Sequence, residues 1–134
     1  MRLPDWKPRL TAYLIVCARK PFEEGVHDCA LFAAAAVAAV TGVDPAAAFR
    51  GRYQTTKAGV QLLRRAGFAD HVALAESLFV EVHPAFATPG DLAVVAAEAG
   101  PALGIVQGEA IYLLTRQGLG LTPIDQAIRF LKVG

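Results

Sequence analysis

The sequence predicts an α+β domain in which N-terminal helices pack on a C-terminal antiparallel sheet. Up to about residue 78, apolar side chains recur at helical spacing, and a proline or glycine closes most runs. Beyond that point the pattern changes to short apolar runs separated by Pro-Gly-Asp, Gly-Pro and Gly-Glu breakers. Helices first and strands second is the segregated arrangement, not the alternation that builds a parallel sheet. The chain of 134 residues is 54% hydrophobic and 19% charged, which predicts one domain spanning residues 1–134 and excludes a disordered chain. At this size about two-thirds of the extended chain's surface can be buried, enough for a core without staples.

Asp5 is placed to cap a first helix over Trp6–Arg19, with Trp6, Leu10, Tyr13, Leu14 and Cys17 on one stripe. Lys20-Pro21 ends it, because a residue before proline avoids the α region. A loop Phe22–His27 pivots on Gly25. Asp28 is the natural cap of a second helix, Cys29–Val40, which Gly42 terminates. Asp44-Pro45 opens a short helix through Phe49, Thr55 or Thr56 caps another near Lys57–Ala66, and a helical piece covers His71–Leu78. Phe79–Val82, Leu92–Ala97, Leu103–Val106 and Ala110–Leu114 read as strands. Gly118–Leu121 reads as a turn, Ile124–Ile128 as a helical turn and Arg129–Val133 as a last strand.

Composition narrows the function. A net charge of +1 gives no electrostatic case for a nucleic-acid binder. The longest apolar run, Ala30–Val40, is about half of what a bilayer requires, so no membrane span is expected. Two cysteines make no disulfide framework and no CxxC or zinc spacing, so neither metal nor cofactor is implied. Cys17, His27 and Cys29 together lack a fourth ligand, and Cys17 belongs to the core stripe. The segment Met1–Pro8 lacks a signal peptide's pattern, so the expectation is a chain made in the cytoplasm.

Chemistry concentrates in Phe22–Cys29. A cysteine in the first turn of a helix meets the positive end of the macrodipole and free N–H groups, which favour thiolate and can hold an oxyanion. The same cysteine also suits a small apolar role at the start of a buried helix. His27, two residues away, is the candidate base. His71, after Asp70, reads as a solvated surface histidine, and His83-Pro84 as a strand-end turn. Arg50 and Arg52 flank Gly51 beside Tyr53. This trio suits an interaction site, clamping the carboxylates of a partner or of the domain's own Asp44.

Gly25–Phe32 resembles the loop-to-helix nucleophile motif of the NlpC-type cysteine peptidases, which cut cell-wall peptides. Pro89–Leu92 and Leu103–Gly108 resemble two of that family's strands. Nearly the whole chain also resembles a phage and prophage family related to those peptidases, found in tail gene clusters including those of gene transfer agents. That likeness rests on His27-Asp28-Cys29, Thr41-Gly42, Arg50–Tyr53, Pro89–Asp91, Leu103–Ile105 and Ala127–Val133. The resemblance implies an NlpC-type, papain-like fold. It departs at two positions: where the peptidases carry their catalytic histidine, this chain has Ala102, and the third polar position falls near Tyr112 or Leu113.

The expectation is therefore a structural component of a phage-like tail tip or baseplate on a degenerate peptidase scaffold. It would be made in the bacterial cytoplasm, reside in the virion and contact tail hub or baseplate proteins. The alternative is a peptidoglycan cysteine peptidase using Cys29 with a non-standard base.

Overall fold

α2 (Cys29–Thr41) is apolar on every side, and the rest of the fold is arranged to cover it. In the computed structural model, which describes residues Met1–Gly134, α1 (Trp6–Cys17) packs along one side of α2. β3 (Gly100–Gln107) and β4 (Ala110–Thr115) pack along the other. α3 (Thr56–Arg65) and α4 (His71–Leu78) follow, with α4 resting on β3. The sheet has the order β1-β6-β2-β3-β4-β5, all neighbours antiparallel. Its other strands are β1 (Glu81–Val82), β2 (Leu92–Ala97), β5 (Gly118–Pro123) and β6 (Ala127–Leu131). This is the α+β class, with four helices and a six-stranded antiparallel sheet.

Strand alternation divides the apolar side chains between two faces. Leu92, Val94, Leu103, Ile105 and Leu131 meet Leu10, Phe32, Val37 and Val40 of the helices in the main core. Ala93, Val95, Val106, Ile111 and Phe130 form a second cluster on the opposite face, covered by Ala87 and Ile124. Ala102 belongs to that second face, opposite the helices.

Asp91 ties the two ends of the chain to the start of β2. Its side chain is fully buried, and Oδ1 accepts from Arg2 Nη2 (2.8 Å) and Val133 N (3.0 Å). Oδ2 accepts from Thr88 N (2.9 Å) and Thr88 Oγ1 (3.2 Å). Arg2 also donates to the carbonyls of Pro89 and Val133 and lies over the Trp6 ring, 4.4 Å from its centroid.

Several local expectations give way to tertiary effects. α1 ends at Cys17, and Asp5 occupies its cap position without a side-chain hydrogen bond. Asp44–Phe49 is a series of turns, not a helix: the N–H groups of Ala47, Phe49 and Arg50 donate back to the carbonyls of Asp44 and Ala46, and propagation stops there. Gly118–Leu121, read as a turn, belongs to strand β5, all six of whose residues pair with β4.

Candidate functional site

The Phe22–Asp28 loop is held by its backbone and by one carboxylate. Glu23 and His27 bond to each other through N–H and carbonyl groups in both directions, closing a tight bend around Gly25. Gly25 has φ +79°, and a Cβ there would overlap the carbonyl oxygen of Tyr53, so only glycine lets the two segments touch. Asp28 then caps α2: Oδ1 accepts from Leu31 N (2.9 Å), while Oδ2 accepts from Gly25 N (3.0 Å) and the Tyr53 hydroxyl (2.6 Å). One carboxylate thus fixes helix start, loop and neighbouring segment together. Gly25→Ala is expected to destabilise the fold by at least about 2 kcal/mol in denaturant titration. A midpoint equal to wild type would show that the loop can move away from Tyr53.

Cys29 is the first residue of α2, half-buried. Facing it is His71, the first residue of α4, with Nε2 3.9 Å from Sγ. Asp70 caps α4 as Asp28 caps α2, accepting from Ala73 N at 2.8 Å. Two helices therefore meet tip to tip, each with an aspartate cap followed directly by one member of the Cys29–His71 pair. With the proton on Nδ1, Nε2 is the acceptor for the thiol.

The charge states follow from this placement. Burial pushes the Cys29 thiol above its ordinary value, and the Asp28 carboxylate adds to that. The N–H groups of Ala30 and Cys29, directed at the sulfur, act the other way but do not prevail. Burial also holds His71 below the usual imidazole range, against the opposing pull of Asp70 and Asp28. The resting pair is thus a neutral thiol beside a neutral imidazole. His71 is in the form that can accept a proton, and the two N–H groups favour negative charge on the sulfur.

The structure does not pair His27 with Cys29. Its ring stands edge-on to Phe32, with centroids 6.3 Å apart, and its Nε2 is buried without a partner. Burial, with Lys20 nearby, keeps it below the ordinary imidazole value. His71 is not the solvated residue expected from its neighbours. It was missed because 42 residues separate it from Cys29. The available signal was the repeated pattern Asp28-Cys29 and Asp70-His71 at helix starts. A histidine at position 102 would lie on the sheet face away from α2.

Arg50, Arg52 and Tyr53 serve the domain itself in this structure. Arg50 Nε lies 2.8 Å from Asp44 Oδ2, and Nη2 reaches Leu31 O at 3.4 Å. Arg52 donates to Ala48 O (3.1 Å), and Tyr53 holds Asp28. His83 caps the short turn Pro84–Phe86, accepting from Ala85 N. Cys17 is fully buried in the main core. No group of three or more His, Cys, Asp or Glu side chains is gathered as a metal site, and no helix is long and apolar enough to cross a membrane.

A family model described as Domain of unknown function (DUF6950) matches residues 1–133. The chain belongs to that family. No curated protein matches it. In this DUF6950 member the loop before Cys29 also borders an open groove of about 600 Å³, lined by Phe22, Glu23, Glu24, Val26, Tyr53, Gln54 and Arg116. Cys29 and His71 are not among its lining residues.

Proposed function

We propose that this protein is a thiol-dependent amide hydrolase acting on cell-wall peptides, built on an NlpC-type scaffold and carried by a phage-like tail. The observation that carries the reading is the approach of His71 Nε2 to Cys29 Sγ, 3.9 Å between two capped helix tips. His71 takes the thiol proton as Sγ attacks the carbonyl carbon of the scissile amide. The oxyanion that forms is met by the N–H groups at the start of α2. The C–N bond then breaks as His71 returns the proton to the leaving amine. Water, deprotonated by the same imidazole, opens the thioester and frees Cys29. Gly25–Phe32 resembles the NlpC-type nucleophile motif in sequence, while the base comes from α4 in place of the missing strand histidine.

The test is incubation of the purified protein with soluble cell-wall peptide fragments, following new amino groups. Wild type is expected to release them and Cys29→Ala to release none above background. Release by Cys29→Ala at the wild-type rate would overturn the reading.

A second reading, a non-catalytic tail-tip or baseplate component docking on hub proteins, is favoured by the protonated, half-buried thiol. On that reading the wild-type protein leaves the fragments intact, and iodoacetamide leaves Cys29 unmodified at neutral pH.

A further inference from the structure

Two grooves adjoin on the side of the Phe22–His27 loop, and both are walled by Phe22 and Arg116. The Arg116 guanidinium lies over the Phe22 ring, 5.3 Å from its centroid, and is paired with Glu24 at 3.0 Å. Glu24 also accepts from Thr56 Oγ1 at 2.8 Å. The stack is thus tied to α3 and to the β4–β5 turn, and it forms a partition between the grooves.

The compartments differ in charge. The larger, about 600 Å³, carries Glu23 and Glu24. Glu24 is engaged, but the Glu23 carboxylate forms no ion pair and makes no side-chain hydrogen bond; only its backbone is used, against Val26 and His27. The smaller, about 290 Å³, carries Arg19 and Lys20, neither of which has a carboxylate partner. An unpaired anion on one side and two unpaired cations on the other, about an aromatic–guanidinium wall, match a ligand with both charges. Both volumes suit a small ligand, and the Arg116–Phe22 wall offers a flat surface to a peptide plane.

We propose that these grooves together bind a short zwitterionic peptide, its ammonium toward Glu23 and its carboxylate toward Arg19 and Lys20. The site is distinct from the Cys29–His71 pair and does not depend on that pair being catalytic. It abuts the nucleophile loop, because Val26 and Tyr53 line the larger groove and Tyr53 holds Asp28.

The test uses Cys29→Ala, so that no chemistry consumes the probe, and titrates tri- to penta-alanine with free termini by calorimetry. N-acetylated and C-amidated versions serve as controls. Free-ended peptides are expected to bind best, with either block weakening affinity about three- to tenfold, as exposed or partly exposed charge pairs do. The preference for a free carboxylate should vanish in the double variant Arg19→Gln/Lys20→Gln, and that for a free ammonium in Glu23→Gln. These are surface residues, and unchanged melting temperatures would show that the variants are folded. Equal affinity for free and blocked peptides, or no heat from any at millimolar concentration, would overturn the proposal. Failure of cell-wall fragment cleavage by wild type bears only on the catalytic reading.

Discussion

Replacing His71 by alanine is expected to lower the rate of amide cleavage by about 10²–10⁴-fold, the usual contribution of a positioned general base. The pH profile separates this from a packing effect. In wild type, His71 is held below its ordinary 6.5 and Cys29 above its ordinary 9.0. Between those limits the imidazole is free to take the thiol proton as reaction proceeds, so alkylation of Cys29 by iodoacetamide should be nearly independent of pH. Without the imidazole only preformed thiolate reacts, and the rate should fall about tenfold for each pH unit below the thiol's pKa. His71→Gln keeps the volume but not the base and should behave as the alanine variant does. A flat profile in both variants would show that the contact at 3.9 Å moves no proton.

The same depressed imidazoles govern acid stability. His27 and His71 are both held neutral by burial. Each therefore contributes fully above pH 6.5. As pH falls below that value the unfolded chain gains protons that the fold resists, and stability declines through the folded values. Denaturant midpoints should drop between pH 7 and 5, and less so in His71→Gln.

Asp91→Ala is expected to cost about 3–5 kcal/mol, the largest stability effect of any single substitution considered. The carboxylate is fully buried and binds Arg2, Val133 N and Thr88; removing it leaves the Arg2 guanidinium, only 15% exposed, without its anion. It also removes the bond to Val133 N, while Arg2 keeps its bonds to the Pro89 and Val133 carbonyls. The measurement is urea unfolding, with Arg2→Met/Asp91→Leu as the companion. If the loss comes from an uncompensated charge, the double variant should recover much of it. A midpoint for Asp91→Ala within error of wild type would mean the termini are held without the carboxylate.

Local chemistry accounts for much that was legible beforehand. Asp28, Thr55 and Asp70 cap their helices through the third residue on, and Gly42 ends α2 at φ +82°. Those contacts lie within a few residues, so residue type and spacing suffice to read them. β2, the middle of β3 and β4 were also readable, because their apolar runs are bounded by breakers. Gly118–Pro123 was not: Gly-Leu-Gly-Leu has little strand character of its own and becomes a strand by pairing with β4. The Asp44–Phe49 segment fails in the opposite sense, having a helix-start signal but too few residues to propagate a helix from it.

The sequence by itself determined the class of fold, the starts of α2 and α4, the neighbourhood of α3's start, and the placing of a cysteine at the tip of a buried helix. Periodicity, capping and composition are short-range properties, and they suffice for that. Only the tertiary structure decided which imidazole meets the sulfur. It also decided that Asp91 joins both termini and that Phe22 and Arg116 share a wall. Those contacts join residues 42 to 94 positions apart in the chain. Nothing in local propensity encodes such a distance; it is set when α4 settles on β3 and the sheet closes against α2.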